Sequence, residues 1–288
     1  MDLNGDGKID ILSGSHTRDG AKSLAGLFYV FWGQRDGTWK RAEVLCGTDG
    51  KPLIITAGSG EDPDNDRICT RPTAIDLDGD GKLDIVSGNF RGTFAVFAGE
   101  GKGRFAPKST LLTADGAPLS VDYHSDPCFV DWDRDGDLDL VTGACRGGVF
   151  LSENRGSVKE PRFSKLKALV EVAAHGGETK FGDAHLTGPH NDMRVCVDDV
   201  NDDGKVDLLV GDWVKVVLPA KGVAPAVALA KLRDWEAKEA RLMSTRPADD
   251  AKGAAVRKFD DALAALLEER QKFVTDEYTG FVWVYYQK

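Results

Sequence analysis

The sequence predicts an all-β fold, a β-propeller of four-stranded antiparallel blades, with an α-helical hairpin inserted in the last blade. Three observations lead to this prediction. A nine-residue acidic pattern occurs four times in the 288 residues. A short apolar run and a glycine follow each copy at once. Further β-rich runs separated by glycine turns fill most of the intervals, whereas residues 222–276 are rich in the helix formers Ala, Lys, Glu and Leu.

The acidic pattern has the chemistry of a calcium loop. It reads Asp, any residue, Asp or Asn, any residue, Asp, Gly, two further residues and Asp. Alternate side chains of a tight loop point inward, so positions 1, 3 and 5 can share one cation, while the glycine at position 6 permits the sharp turn. The backbone carbonyl of position 7 and the Asp at position 9 then complete an oxygen cage of the kind that calcium prefers.

We number the copies loops 1 to 4; they span residues 2–10, 76–84, 131–139 and 199–207. The predicted calcium ligands, of which the fourth in each loop contributes its backbone carbonyl, are Asp2, Asn4, Asp6, Lys8 and Asp10; Asp76, Asp78, Asp80, Lys82 and Asp84; Asp131, Asp133, Asp135, Asp137 and Asp139; and Asp199, Asn201, Asp203, Lys205 and Asp207. Up to four calcium ions are therefore expected.

Two other interpretations of the loops are weaker. An EF-hand needs Glu at position 12 and a helix on each side, but position 12 is Ser13, Ser87, Thr142 or Val210. A single copy could also be an acidic surface turn, yet a turn does not explain four copies that each precede a strand. Ions in such loops would mainly hold the structure together.

The repeat unit beyond the loops consists of a strand, the acidic loop, a strand, a turn, a strand, a glycine turn and a strand. Four antiparallel strands make one propeller blade. No strand precedes loop 1 and no fourth strand follows Tyr286. The two ends could complete each other by ring closure, or the chain could be a fragment of a larger ring; we expect the fragment. Unclosed sheets would expose edges that pair with other chains.

On these residues the chain resembles the FG-GAP or VCBS repeat. The acidic loops match the repeat at the ligand positions, and Gly14, Gly88, Gly143 and Gly211 take its glycine position. The resemblance covers residues 1–215 and 278–288. It implies calcium-binding blades like those of integrin α-subunit propellers and of many secreted bacterial proteins. It identifies no partner, since this scaffold carries many unrelated functions.

The domain prediction is a single propeller domain over residues 1–288, with residues 222–276 as a helical hairpin within the fourth blade. The first helix is expected over residues 225–244 and the second up to about Thr275. One face of the second helix is apolar at 3.6-residue spacing, and its members are Val256, Phe259, Leu263, Leu266, Leu267, Phe273 and Val274. The hairpin either packs on its blade or serves as a docking or dimerisation arm.

Composition narrows the function classes. The hydrophobic content of 41% and charged content of 29% are those of an ordinary globular protein. A net charge of −10 argues against a nucleic-acid partner, and no apolar run is long enough to span a membrane. The chain does not open on a signal peptide, so an exported protein would need one upstream. The five cysteines are expected to be free thiols, the alternative being a Cys128–Cys145 disulfide.

These features predict a binding or adhesion module that works outside the cell, in the periplasm or at the cell surface, with a protein as its ligand. The alternative is a carbohydrate-binding or polysaccharide-degrading propeller in which Trp32, Trp39, Trp213 and Tyr123 stack on sugars. We expect no catalytic site: the histidines (His16, His124, His175, His185 and His190) form no recognisable triad, and no Gly-x-Ser-x-Gly nucleophile motif occurs. Self-association through the hairpin or through unpaired blade edges is a further expectation.

Overall fold

A computed structural model describes residues 1–16, 26–56, 58, 63–172, 181–182, 186–248 and 253–288. His175 and His185 lie outside these residues. The chain divides into two compact units. Unit 1 comprises Met1–Ala173, Gly188–Trp213 and Phe281–Lys288, and unit 2 comprises Ala174–Thr187 and Val214–Gly280.

Unit 1 contains four small antiparallel sheets, which we call blades 1 to 4. Blade 1 has three strands, β1 (Ile11–Ser13), β2 (Tyr29–Phe31) and β3 (Glu43–Val44). A short helix, α1 (Pro63–Arg67), precedes blade 2. Blade 2 and its hairpins comprise β4 (Arg71–Ile75), β5 (Asp84–Gly88), β6 (Phe94–Phe97), β7 (Gly99–Gly101), β8 (Arg104–Phe105), β9 (Thr110–Leu111), β10 (Thr113–Ala114) and β11 (Ala117–Pro118). The blade itself has the order β4-β5-β6-β9.

Blade 3 repeats the pattern with four strands in sequence order, β12 (Asp126–Val130), β13 (Asp139–Gly143), β14 (Val149–Ser152) and β15 (Lys167–Val170). Blade 4 begins with β16 (Asn191–Asp198) and β17 (Asp207–Pro219). Helices α2 (Pro225–Met243) and α3 (Ala254–Gln271) follow, and then β18 (Val274–Thr279) and β19 (Val282–Tyr285). The first part of β17 pairs with β16 and β19, which makes the blade.

Unit 2 is a β-ribbon that carries the helical hairpin. The second part of β17 pairs with β18 from Val214 opposite Thr279 to Pro219 opposite Val274. Helices α2 and α3 pack on each other near this ribbon, where Leu232, Trp235 and Phe273 are buried in one apolar cluster. The Trp235 indole nitrogen donates a hydrogen bond of 2.7 Å to the Leu266 carbonyl and so joins the two helices.

The structure confirms the predicted helical hairpin but shortens its second helix. The sequence pattern extended that helix to about Thr275, whereas α3 ends at Gln271. Of the residues assigned to the apolar helix face, Val274 instead begins β18 and Phe273 lies in the turn before it, and both are buried. The prediction was wrong there because pairing with β17 provides backbone partners that a sequence pattern does not show.

Consecutive blades of unit 1 pack face to face, since successive side chains of a strand point to opposite faces. In β5, Ile85 belongs to the core with blade 1 and Val86 to the core with blade 3. In β13, Leu140 and Val141 divide in the same way between the cores with blades 2 and 4. Three apolar cores thus join four blades in the β-propeller arrangement that the sequence predicted.

Glycines allow the closest approach between blades. A Cβ atom at Gly88 would lie 2.0 Å from the Ser125 carbonyl oxygen, and one at Gly14 would lie 1.9 Å from that of Thr70. At Gly143 the corresponding distance to Met193 is 2.5 Å. Thr70, Ser125 and Met193 each belong to the segment that opens the inner strand of the following blade. The glycine position of the repeat is therefore a contact between blades.

Replacement of Gly88 by alanine should destabilise unit 1 by about 2–3 kcal/mol, because the new methyl group must displace backbone of blade 3. Gly211→Ala is the matched control: its Cβ would meet nothing nearer than the Arg194 Cβ at 3.6 Å, so a change within about 0.5 kcal/mol is expected. Chemical denaturation of both variants measures the difference. Equal stabilities would contradict this account of the glycine contacts.

Candidate metal sites

The carboxylate at position 1 organises each loop. In loop 2, Asp76 accepts hydrogen bonds from the backbone N–H groups of Asp80 at 3.0 Å and Gly81 at 2.9 Å. Asp2 and Asp199 make the equivalent pairs of bonds in loops 1 and 4. In loop 3, Asp131 accepts from Gly136 at 3.2 Å through Oδ2. The glycines at position 6 have φ angles of +80°, +83°, +98° and +79°, which explains why the turn uses glycine.

Positions 3 and 5 also accept hydrogen bonds from the loop backbone. The side-chain oxygen at position 3 accepts from the N–H of position 5 in all four loops, at 2.9, 3.2, 3.2 and 2.9 Å. The carboxylate at position 5 accepts from the N–H of position 7, at 3.1, 2.9, 3.1 and 2.9 Å. Backbone N–H groups thus hold the side chains of positions 1, 3 and 5 in each loop.

The Asp at position 9 has a role that the sequence pattern did not predict. It is buried in every loop, and both of its oxygens accept backbone hydrogen bonds. One oxygen of Asp139 accepts from the N–H of Trp132 at 2.9 Å, inside its own loop. The other accepts from the N–H of Asn154 at 2.7 Å, two residues beyond the end of β14. This carboxylate therefore joins the loop to the third strand of the blade, and we call its two hydrogen bonds the clamp.

The same clamp recurs in each blade. Each donor lies two residues past the strand that pairs with the strand after the loop, which is β2, β6, β14 or β19. The donors are the N–H groups of Gly33, Gly99, Asn154 and Gln287, at 2.8, 2.6, 2.7 and 3.0 Å. In blade 4 the donor, Gln287, is 80 residues away from Asp207 along the chain. The long insertion between β17 and β19 therefore leaves the clamp intact. The donor occupies the same position of the repeat in every blade, but this position can be recognised only after the strands have been paired.

Two groups of carboxylates meet the geometric requirement for a metal site. In loop 2 they are Asp76, Asp78 and Asp84, and in loop 3 they are Asp131, Asp133 and Asp139. Within each group the ligand oxygens lie within 4.8 Å of one another. Asn4 and Asn201 replace the acid at position 3 in loops 1 and 4, so those loops offer two carboxylates and an amide at the same positions.

Buried, uncompensated oxygen atoms support the fit of a cation. Asp131 Oδ1 is buried and has no hydrogen-bond partner within the described residues. Burial raises the pKa of Asp84 and of Asp139, although the backbone hydrogen bonds to both side chains oppose the rise. Neighbouring carboxylates add to the rise in each case. A bound cation would compensate this concentration of negative charge, because opposite charge favours the ionised form.

Position 5 belongs to neither carboxylate group. Lys8 Nζ lies 2.7 Å from Asp6 in loop 1, and Lys82 makes the same pair with Asp80 in loop 2. Hydrogen bonding to these lysines lowers the pKa of both aspartates. The ligands predicted at position 5 and the carbonyl ligands at position 7 therefore remain predictions. A cation that uses position 5 in loops 1 and 2 would have to displace the lysine ammonium groups.

Loop 3 has a further acidic residue at position 7. Asp137 was expected to contribute only its backbone carbonyl, yet its side chain is buried and its Oδ1 has no partner among the described residues. Burial raises its pKa, and the nearby carboxylates of Asp135 and Asp139 raise it further. Loop 3 is thus the most acidic of the four.

A second polar cluster lies where the inner strands of blades 2, 3 and 4 begin. Arg71 donates to the His124 carbonyl at 2.6 Å, and its Nη2 lies 3.1 Å from His124 Nδ1. Asp126 accepts from the Val195 N–H at 3.2 Å, and Asp192 accepts from the Trp213 indole at 2.6 Å. Burial, together with Arg71, lowers the pKa of His124. The Arg71–His124 bonds join blades 2 and 3 and the Asp126–Val195 bond joins blades 3 and 4, whereas the Asp192–Trp213 bond lies within blade 4.

The cysteines within this region are not activated. All five cysteines of the chain are free thiols. Burial raises the pKa of Cys128 to about 11. Burial and a hydrogen bond to Asp192 raise that of Cys145 to about 11. Nucleophilic chemistry requires the thiolate, so both thiols are unreactive near neutral pH.

The four aromatic side chains considered for sugar stacking make hydrogen bonds or ring contacts with other residues of the protein. The indole nitrogens of Trp32, Trp39 and Trp213 donate to Glu43, to the Ile9 carbonyl and to Asp192. The Tyr123 ring packs against Phe90 at a tilt of 58° and lies under the Arg146 guanidinium at 5.3 Å. Trp39 and Trp213 still expose part of their surface.

No helix of the described residues is long and apolar enough to cross a membrane.

The clamp and the metal group can be separated by two substitutions in loop 3. Asp139→Asn should cost about 1–3 kcal/mol in chelator as well as in calcium, because a buried acceptor of two N–H groups becomes a partial donor. Asp133→Asn is the matched variant at an exposed position. It should be neutral within about 0.5 kcal/mol in chelator but reduce the stabilisation by calcium. Denaturation with and without calcium measures both, and a neutral Asp139→Asn would contradict the clamp.

Comparison with known proteins supports the repeat. Residues 76–142 match the FG-GAP-like repeat family. No curated protein sequence matches the chain significantly. Among solved structures, the Photorhabdus luminescens Tc holotoxin pore is similar over 64% of this chain and 7% of that chain, with 17% identity and a TM-score of 0.36. The resemblance predicted from the acidic loops is confirmed where the family matches: the stretch from loop 2 into the strand after loop 3 is an FG-GAP-like repeat.

Proposed function

We propose that this protein is a calcium-binding propeller module that binds a protein ligand outside the cytoplasm, at the cell surface, in the periplasm or in the extracellular medium. One observation carries the proposal: consecutive blades place three carboxylates, at the same three positions of the repeat, within reach of a single cation. A site for catalysis would be expected once per molecule, whereas this constellation recurs with the repeat.

The donor set favours calcium over other common metals. All side-chain ligands of loops 2 and 3 are carboxylate oxygens, which suit hard cations, and neither imidazole nor thiolate belongs to the groups. Calcium tolerates irregular oxygen cages, whereas magnesium demands near-octahedral geometry and keeps much of its water. Loops 1 and 4 would bind more weakly, since an amide replaces one carboxylate in each. Up to four ions are proposed for the chain.

The proposed ions act on the architecture. Loops 2, 3 and 4 each connect the first strand of a blade to its second strand, and the clamp at position 9 attaches the third. A cation at positions 1, 3 and 9 would therefore neutralise charge at the point where three strands of the blade meet. Calcium in this role stabilises the surfaces that the blades present to a ligand and takes no part in a reaction.

The proposed location follows from affinity. Extracellular calcium modules commonly bind with dissociation constants of about 10⁻⁴–10⁻³ M. We place these loops in that range, and sites of that affinity fill only where calcium is near millimolar. FG-GAP-like repeats are also found in proteins that act as interaction modules, which supports a protein ligand.

Chelation should lower the melting temperature, and calcium should restore it. At a calcium concentration about tenfold above the dissociation constant, each site adds about 1.4 kcal/mol to the free energy of unfolding. Magnesium at the same concentration should restore much less. The double variant Asp78→Asn with Asp133→Asn is the control, because it leaves the clamps and weakens the two carboxylate groups. A melting temperature unchanged by chelator would rule out the proposed function.

A further inference from the structure

A groove of about 570 Å³ lies between blades 2 and 3. One wall is the hairpin of β10 and β11, with Asp115 at its turn. The other wall is the segment between β14 and β15, which contributes Arg155, Arg162, Phe163 and Lys165. None of these residues belongs to an acidic loop, so the groove is a separate feature of unit 1.

The groove is basic in a chain whose net charge is −10. Arg155, Arg162 and Lys165 line it, and the carboxylate of Asp115 opposes them. Lys165 lies 3.7 Å from Asp115, but the two side chains are 82% and 79% exposed, so this pair compensates little of the charge. Arg155 pairs with Glu153 at 3.1 Å, whereas Arg162 makes no ion pair with any described residue. We call this feature the basic groove.

The two arginines are held opposite each other at the neck of a hairpin. Asn154 and Phe163 form a β-bridge, and the Arg155 N–H donates to the Arg162 carbonyl at 2.8 Å. The Asn154 Oδ1 accepts from the N–H groups of Gly156 at 3.0 Å and Arg162 at 2.8 Å. Paired residues of antiparallel strands present their side chains on one side. Both guanidinium groups therefore belong to the same wall of the basic groove.

Blades 1 and 2 do not place like charges at this pair of positions, which follow the clamp donor and precede its aromatic partner. In blade 1 the residues are Gln34 and Thr38, whose side chains share a hydrogen bond of 2.9 Å. In blade 2 they are Glu100 and Arg104, which carry opposite charges. Like charges directly opposite each other destabilise a sheet. Blade 3 keeps such a pair, and an anionic ligand in the basic groove would compensate it.

We propose that the basic groove binds an acidic segment of the protein ligand through the carboxylates of Asp or Glu side chains. The ligand class, a protein, rests on the proposed function, but the contact itself requires no calcium. A guanidinium group offers two parallel N–H donors to a carboxylate, and such charge-assisted pairs are among the stronger hydrogen bonds. Arg162 is the main anchor, because no carboxylate of the described residues neutralises it.

The groove favours a peptide over an acidic polysaccharide or a nucleic acid. Phe163 is 6% exposed and belongs to the core between blades 2 and 3, so its ring is not available to stack on a sugar or a base. The net charge of −10 would also repel an extended polyanion beyond the groove. A short acidic segment needs only the local positive charge.

Fluorescence anisotropy of a labelled, amidated hexaglutamate peptide at low ionic strength tests the groove. The wild-type protein should bind the peptide, and the affinity should fall as salt is added. Arg155→Gln and Arg162→Gln should each weaken binding at least about tenfold, because each removes a charge-assisted pair. Asp115→Asn should strengthen binding about twofold, since a like charge leaves the groove.

Arg104→Gln is the matched control. It removes the same charge from the equivalent position of blade 2, outside the groove, and should change the affinity by less than about twofold. Hexagalacturonate carries the same number of carboxylates on a sugar chain and should bind more weakly than hexaglutamate. The replaced arginines are exposed, so the variants should keep the wild-type melting temperature.

Three results would overturn the proposal. They are an absence of peptide binding at low ionic strength, a loss in Arg104→Gln as large as that in Arg162→Gln, and tighter binding of the oligosaccharide than of the peptide. The titrations are made with calcium present, and the melting temperature in chelator is measured separately. Failure of the groove and failure of the metal sites are therefore distinguishable.

Discussion

The structure depends on a buried carboxylate that holds two backbone N–H groups from different parts of a blade. At position 9 of each loop an Asp is removed from solvent and accepts one hydrogen bond from its own loop and another from beyond the third strand. Leaving such N–H groups buried without partners would cost free energy. The clamp therefore determines how the loop is presented, and the loop in turn determines where the oxygens of positions 1 and 3 lie.

This arrangement gives position 9 two roles that are physically compatible. A carboxylate oxygen has more than one lone pair, so it can accept an N–H bond and still face a cation. The raised pKa values of Asp84 and Asp139 show that burial and neighbouring acids disfavour the charged form there. Metal binding at positions 1, 3 and 9 would relieve that unfavourable charge, which is why a structural clamp and a metal group can share one residue.

Packing between blades follows from the alternation of strands and from the glycine that ends the second strand. Apolar residues on both faces of β5 and β13 give each inner blade two neighbours. Blades 1 and 4 carry the same alternation, and within the described residues each packs on one neighbouring blade, through the cores with blade 2 and blade 3.

The sequence by itself determined the four loops, the strands that follow them, the helical hairpin and the repeat family, because these depend on residue types at fixed local spacing. Only the tertiary structure decided that Asp207 accepts a hydrogen bond from Gln287, that α3 ends at Gln271 with Val274 in a strand, and that Ile85 is buried in the core shared by blades 1 and 2. The physical reason is the same in each case. A hydrogen bond or an apolar contact between residues distant along the chain depends on which strands pair and which sheets pack, and local spacing carries no information about either.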